Sequence, residues 1–237
     1  RPMRPHNMTL VMLGAALLWF GWFGFNAGSA LGANTTAAVA WINTLAATAA
    51  AMCAWLVVER LRDGHPTSLG AASGIVAGLV GITPAAGSVS PLGALLIGVL
   101  AGVACAYAVG LKNALGYDDS LDVVGVHLVG GLVGTLAIGF LADPASPAGV
   151  AGLLYGGGPD QLWAQFLGAA AVLVYSFVAT LAIGLAIHKT LGFRVSKKDE
   201  LSGVDLSEHS EVGYDLSAVY YSALGGAGVR RTLLLDA

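Results

Sequence analysis

Charged side chains are scarce in this chain of 237 residues, since Lys, Arg, Asp and Glu together occupy only 11% of its positions. A soluble domain usually carries about 25% charged residues. Hydrophobic residues account for 56% of the chain, which also contains 34 glycines. That glycine content is about twice the usual share and is typical of closely packed transmembrane helices. The composition therefore predicts an all-α membrane protein.

The middle of every long apolar stretch lacks Lys, Arg, Asp and Glu, and the acidic residues Glu59 and Asp122 fall at the ends of such stretches. A sodium- or proton-coupled carrier usually keeps a charged group near the membrane midplane, and a voltage sensor needs a ladder of arginines. Neither pattern occurs here. Cysteine is also scarce, and the spacing of Cys53 and Cys105 suits neither a disulfide nor a metal site. We therefore expect no metal and no cofactor.

Six apolar stretches are long enough to cross a bilayer, which takes about 20 helical residues each. The third contains Thr83-Pro84 and several glycines, so we predict a kink or a break there. The chain becomes polar and charged from about residue 189. We predict a transmembrane domain over residues 1–190 and a cytoplasmic tail over residues 191–237. The predicted spans lie near residues 8–31, 37–58, 68–89, 91–111, 121–142 and 161–188.

The positively charged residues indicate the orientation of the spans. If the six spans alternate in direction, all 11 Lys and Arg residues fall on one side of the membrane. The loops on the other side, 32–36, 90–91 and 143–160, contain none. The positive-inside rule then places both termini of this chain in the cytoplasm. We expect a multi-pass protein of the plasma (inner) membrane.

His127 is the most informative residue, because it lies inside an apolar, glycine-spaced run of the fifth span. A histidine can hold or release a proton near neutral pH, and ionisable groups within a membrane usually face a pathway or a partner. By helical spacing, His127, Gly130, Gly131 and Gly134 share one face. The glycines either let another helix approach closely or leave room for a small permeant. The alternative for His127 is a purely structural hydrogen bond to a backbone carbonyl.

A second face lies on the first span, where Trp22, Phe25, Asn26 and Ser29 recur at helical spacing. Aromatic rings and a hydroxyl can attract a small cation by cation–π contact and one hydrogen bond. The alternative is that the aromatic residues are ordinary interfacial anchors. Both spans run outwards, and Phe25 and His127 lie roughly 9 Å inside opposite ends of their spans, so the expected order from the outside inwards is Ser29, Phe25 and then His127.

Three separated motifs carry a family resemblance: Trp22-Phe23-Gly24-Phe25-Asn26-Ala27-Gly28-Ser29, Gly125-Val126-His127, and Gly203-Val204-Asp205-Leu206 followed by His209, Glu211 and Tyr214. They resemble the motifs of the ammonium transporter family, relatives of the Rhesus proteins, over about Arg4 to Tyr214. The resemblance implies a fold of eleven spans, built from two inverted five-helix repeats and a last long helix, in a homotrimer. The six spans here then correspond to the second repeat and the last helix.

The resemblance also implies roles for single residues. Ser29 matches the external hydroxyl that receives ammonium, Phe25 matches one of two stacked pore phenylalanines, and Trp22 matches a pore-lining tryptophan. His127 matches one of two histidines that touch along the pore. Asp119 and Asp122 match acidic positions just before its helix, and we expect them to orient it. The tail residues Gly203, Asp205, His209, Glu211 and Tyr214 match a segment that couples to a PII-type signal protein. Two positions depart from the family pattern: Leu128 replaces a small residue, and Ser210 replaces a glycine.

The predicted function is therefore ammonium transport, with deprotonation near Phe25, passage of ammonia, and a histidine-assisted proton relay. Methylammonium is a second candidate substrate, and membrane lipid is the expected surrounding. Two alternatives stay open: an ammonium sensor that signals to a cytoplasmic partner, and an inactive truncated fragment. An enzyme is not expected, because His127 has no nucleophile or carboxylate within one helical turn in sequence. Nothing in the sequence indicates binding to nucleic acid.

Overall fold

The computed structural model describes residues 5–214, in which helices joined by loops are the regular secondary structure and no strand occurs. The prediction of an all-α protein with six membrane spans is confirmed, because six helical segments are long and apolar enough to cross a membrane. The described chain divides after Val174 into two compact units. The six segments are Met8–Ala30, Thr35–Asp63, Ser68–Ala85, Pro91–Leu115, Val123–Leu141 and Asp160–Thr190.

Within these segments the regular α-helices are shorter, because turns of other geometry interrupt or end them. The third segment leaves α-helical geometry at Ile82 and continues as a 3-10 turn over Thr83–Ala85, so the break predicted at Thr83-Pro84 is present. The helices of the first unit are α1 (Met8–Asn26), α2 (Thr35–Asp63), α3 (Ser68–Ile82), α4 (Pro91–Ala108), α5 (Leu111–Leu115) and α6 (Val129–Leu141). Helix α7 (Asp160–Thr190) begins in this unit and ends in the second.

The centre of the first unit is the packing of α3 and α4 against α2. Ala47 and Ala51 of α2 are fully buried, and glycines of both neighbouring helices meet this part of α2. A Cβ atom on Gly78 of α3 would lie 2.6 Å from the Cα atom of Thr48, and one on Gly102 of α4 would lie 2.5 Å from the Ala51 carbonyl oxygen. Small residues allow such close approach, which strengthens van der Waals packing between membrane helices. Part of the high glycine content therefore allows the close packing of α3 and α4 against α2.

The fifth span does not begin as a regular α-helix. Residues Val123–Leu128 form a π-helical turn, which α6 then continues. Asp122, immediately before this turn, has left-handed backbone geometry with φ of 58°. A π-turn shifts the angular register of the residues before it, so the simple helical spacing used for His127 and the following glycines does not hold across this point.

The second unit contains the end of α7 and two short helices, α8 (Lys197–Ser202) and α9 (Val204–His209). Helix α9 ends at Ser210, whose φ of 56° lies in the left-handed region that favours glycine. Serine at this position, where the family pattern has glycine, is therefore backbone-strained. The part of the predicted tail beyond Tyr214 lies outside the described residues.

Candidate functional site

Two aromatic residues of α1, Trp22 and Phe25, contact each other. The rings of Trp22 and Phe25 meet edge to face, with centroids 5.1 Å apart and an interplanar angle of 64°. Phe25 is 58% exposed, whereas Trp22 is half-buried. An edge-to-face pair fixes both rings, and the exposed ring presents a negative face that can attract a cation.

A network of side-chain hydrogen bonds that joins three helical segments fixes the position of Trp22. Its indole nitrogen Nε1 donates a hydrogen bond to Oγ1 of Thr83, at 2.8 Å. Asn26 Nδ2 donates to Oγ1 of the fully buried Thr44 at 2.9 Å, and the Thr83 hydroxyl lies 3.2 Å from Asn26 Oδ1. Asn26 therefore connects α1 to α2 and to the end of α3. Its amide is engaged with these helices, and the predicted place of Asn26 in the substrate pathway stays a prediction.

We predict that Thr83→Val lowers the free energy of unfolding by about 1–2 kcal/mol, because interhelical hydrogen bonds in membrane proteins contribute about 0.6 to 2 kcal/mol each. Valine keeps the shape of threonine and removes the hydroxyl that Trp22 and Asn26 share. Unfolding in detergent micelles, followed by circular dichroism, measures the effect. Thr180→Val, at an exposed position of α7, is the matched control. Equal stability of the two variants would show that the network contributes nothing.

Ser29 lies in the short 3-10 turn Gly28–Ala30 that follows α1, and it is exposed. Its hydroxyl donates to the carbonyl oxygen of Phe25 at 2.6 Å. Because the single hydroxyl proton is used in this way, the lone pairs of Oγ remain as acceptors. Ser29 can therefore accept a hydrogen bond from a cation that carries N–H groups, one helical turn from the exposed ring of Phe25.

His127 is exposed and lines a cavity of about 700 Å³. Its ring forms no side-chain hydrogen bond within residues 5–214, and both the pathway role and the structural alternative stay open. The opposite wall is the first half of α1, including Val11, Ala15 and Leu18. These residues precede Trp22 on α1, so His127 lies beside the part of α1 that is further from Ser29. The same cavity is also lined by Ala72, Ser73 and Val76 of α3.

Of the three glycines near His127, two pack against neighbouring helices and the third borders open space. A Cβ atom on Gly134 would overlap the carbonyl oxygen of Gly81, and one on Gly130 would lie 3.3 Å from Cys105 Sγ. Gly130 and Gly134 therefore pack against α3 and α4, which is the close-approach alternative. Gly131 has no atom within 4 Å of its Cβ position and borders open space. All three glycines lie in the regular helix α6, where adjacent residues point about 100° apart, so Gly131 faces a different side from its neighbour Gly130.

Asp119 and Asp122 lie in the turn before the π-helical segment. The Asp119 carboxylate accepts hydrogen bonds from the backbone N–H groups of Val123 and Val124, at 2.7 and 2.9 Å. Asp122 forms an ion pair with Lys112, with 2.6 Å between Oδ1 and Nζ. A carboxylate at a helix N-terminus stabilises the N–H groups that have no partner within the helix. This arrangement is compatible with the predicted orienting role of both residues, which stays a prediction.

Comparisons with known proteins identify the family of this chain. Residues 1–214 match the Ammonium Transporter Family. The chain belongs to that family. It is 61% identical over 227 residues to an ammonium transporter of Mycobacterium tuberculosis, covering 93% of this chain and 48% of that protein. It is 51% identical to an ammonium transporter of Aquifex aeolicus, covering 90% and 50% of the respective chains. The chain thus spans about half the length of these curated relatives.

Solved structures support the fold of this ammonium transporter family member. The crystal structure of Candida albicans Mep2 matches with a TM-score of 0.78 at 32% identity, over 98% of this chain and 50% of Mep2. A structure described as a Sensor Amt Protein matches with a TM-score of 0.78 at 32% identity, over 86% of this chain and 49% of that chain.

Sequence reasoning missed three residues of the site. Thr44 and Thr83 hold Asn26 and Trp22, and Lys112 holds Asp122. Thr83 is conspicuous in the sequence only as the neighbour of a helix-breaking proline, and Lys112 only as a loop charge. A threonine just before a helix break is a detectable signal, because its hydroxyl is available where the regular hydrogen-bond pattern ends.

Proposed function

We propose that this chain forms one half of an ammonium-conducting pore of the plasma membrane. The observation that carries the proposal is the exposed, unbonded ring of His127, which lines a cavity of about 700 Å³ in an otherwise uncharged span. Family membership supports ammonium as the substrate. Methylammonium, which also carries N–H groups, is a second substrate candidate.

The mechanism that we propose follows from the cost of dehydrating a cation. A bare ammonium ion in an apolar pore loses hydration that no carboxylate in the span restores. Ser29 accepts a hydrogen bond from the ion, and the exposed ring of Phe25, held by Trp22, attracts its charge. The ion releases its proton near Phe25, and neutral ammonia passes the apolar stretch. His127 takes part in the relay that carries the proton.

A pore of this kind needs a second wall, which we propose is supplied by the other half of a complete transporter. The residues that face it, Phe25, His127 and Gly131, border open space in this chain. In the proposed assembly these six spans are the second inverted repeat and the last helix, and three complete subunits form a homotrimer. Both termini of this chain are cytoplasmic, as the one-sided distribution of Lys and Arg favours.

The proposal is tested by flux into liposomes. These six spans are joined to the other half of an ammonium transporter of this family, and the complete transporter is reconstituted beside residues 1–237 alone. Ammonium-driven current and potassium-driven current are measured on both preparations. We expect the complete transporter to carry ammonium and to exclude potassium, because potassium has no proton to release, and we expect residues 1–237 alone to carry neither. Equal currents of ammonium and potassium through the complete transporter would refute the deprotonation mechanism.

A second candidate function is that of an ammonium sensor, which the structural similarity to a Sensor Amt Protein favours. A sensor binds ammonium with little flux and passes the signal to a cytoplasmic partner. The same liposome measurement distinguishes the two functions. Ammonium binding in the absence of current through the complete protein supports the sensor, and a sustained selective current supports the transporter. An inactive truncated product would show neither binding nor current.

We also propose that the tail regulates transport through a PII-type signal protein at the cytoplasmic face. The proposed contact residues include Asp205 and His209, which lie one turn apart on α9, and the strained Ser210 ends that helix. The other proposed tail residues are Gly203, Glu211 and Tyr214.

Truncation of the complete transporter after Ser202 is expected to change the ammonium transport rate, because it removes α9 and every proposed contact residue. The matched control is truncation after Tyr214, which keeps all of these residues and is expected to leave the rate unchanged. Initial rates in liposomes, with and without an added PII protein, measure the effect. Identical rates for the two truncations would favour a merely solvated tail.

A further inference from the structure

We infer that Lys112 is a positioning residue for His127, an inference that rests on the proposed function of the same pore. The ammonium group of Lys112 holds the turn 119–122 from which the π-helical segment of His127 starts. Lys112 does not touch the proposed pathway. It acts through Asp122.

Two contacts of one Nζ atom close the turn. Lys112 Nζ lies 2.6 Å from Asp122 Oδ1 and donates a hydrogen bond to the carbonyl oxygen of Asp119 at 3.0 Å. The side chains of Lys112 and Asp122 are only 25% and 33% exposed. A charge-assisted hydrogen bond in such a partly buried place is stronger than a surface ion pair. Asp119 and Asp122, the two ends of the turn, are thereby both bound to Lys112 at the end of the fourth span.

The turn needs this support because its geometry is unfavourable for the local chain. Asp122 has φ of 58°, a conformation that L-residues other than glycine adopt at an energetic penalty. Its carbonyl oxygen nevertheless accepts a hydrogen bond from the N–H group of Val126, so the turn feeds directly into the π-helical segment. Asp119 caps the same segment through the N–H groups of Val123 and Val124.

Loss of the Lys112 contacts permits the π-helical segment to change register. In a helix of 3.6 residues per turn, a shift of one residue rotates a side chain by about 100°. His127 lies inside the segment, so such a shift turns its ring away from the open cavity. π-turns within helices are frequent at functional sites.

The two cavities near this turn explain why Lys112 acts on His127 through Asp122 and not by direct contact. Lys112 lines a cavity of about 580 Å³ together with Arg62 and Tyr107, whereas His127 lines the cavity of about 700 Å³. Asp122 borders both cavities. Its carboxylate is therefore the link through which a lysine outside the pathway fixes the segment that carries the histidine.

The test compares Lys112→Met with the conservative variant Lys112→Arg in the complete transporter reconstituted in liposomes. We expect Lys112→Met to lower the maximal ammonium transport rate by a factor on the order of 10 to 100, the scale of loss that a small misplacement of a reacting group causes. The ammonium concentration at half-maximal rate should change by less than about twofold, because capture at Ser29 is untouched. Lys112→Arg keeps the charge and should restore most of the rate. Lys189→Met, at an exposed lysine of α7, is the control for loss of a positive charge.

A second readout does not depend on transport. Modification of His127 by diethylpyrocarbonate, quantified by mass spectrometry, should slow at least about threefold in Lys112→Met as the ring turns towards packed helices, and should recover in Lys112→Arg. If Lys112→Met fails to fold, Lys112→Gln is measured with both readouts. Wild-type rate and wild-type modification in the charge-removing variant overturn the inference. A wild-type protein that carries no ammonium overturns the proposed function instead, and the modification rates then decide the position of His127 alone.

Discussion

The ammonium current of the complete transporter is expected to fall at least tenfold in the variant His127→Ala, because a positioned proton-transfer group typically contributes a factor of 10² to 10⁴ to a rate. Alanine cannot accept or donate a proton, and it leaves an empty space where the imidazole ring lay, beside Gly131. The ammonium ion then lacks a relay for its proton, and selectivity over potassium should fall together with the current. Liposome currents with ammonium and with potassium measure both effects.

His65→Ala is the matched control for this experiment. His65 is an exposed histidine in the loop between α2 and α3, outside the cavity that His127 lines. Its replacement should leave the ammonium current and the selectivity unchanged. If His127→Ala behaves like His65→Ala, the proton relay is not located at His127, and the proposed mechanism fails.

The variant Gly134→Ala is expected to lower the free energy of unfolding by about 3 kcal/mol, the upper end of the usual penalty for overpacking. Its new methyl group would overlap the backbone carbonyl oxygen of Gly81, which cannot rotate away as a flexible side chain can. The helices of the third and fifth spans must therefore move apart. Thermal unfolding in detergent, followed by circular dichroism, measures the loss.

Gly131→Ala provides a control on the same helix, three residues away. The Cβ position of Gly131 meets no atom within 4 Å. Alanine there should keep or slightly increase stability, since alanine has the higher helix propensity. Equal losses in the two variants would show that helix propensity or lipid contact, and not the approach to Gly81, determines the stability of this span.

The architecture could be predicted largely because hydrophobic length and loop charge act over whole segments. Six spans follow from runs of about 20 apolar residues, and the break at Thr83-Pro84 follows from the missing N–H group of proline. The pair of Trp22 and Phe25 was also predictable, because both residues lie within one regular helix. Phe25 and His127 are exposed, as an open pathway face requires.

The remaining features depend on contacts that periodicity does not encode. Asn26 shares its helical spacing with Phe25, yet its amide donates a hydrogen bond to Thr44 on another helix. The face around His127 was predicted with regular α-helical geometry, whereas the π-turn at Val123–Leu128 changes that register. Lys112 and Asp122 form an ion pair although they are ten positions apart in the sequence. Their contact depends on the left-handed backbone of Asp122, which no sequence pattern predicts.

The backbone-to-backbone seam of α2 with α3 and α4 has a consequence for where this protein can deform. Helices whose main chains touch leave no layer of side chains to reorganise, so they move as one stiff block. Helix α1 is different, because Ala15 is its only buried residue. Motions that admit a solute are therefore expected in α1 and in the π-turn, which border the cavity of His127 together with the stiff helix α3. Cross-linking α1 to α3 should arrest those motions, while cross-linking α2 to α4 should be tolerated.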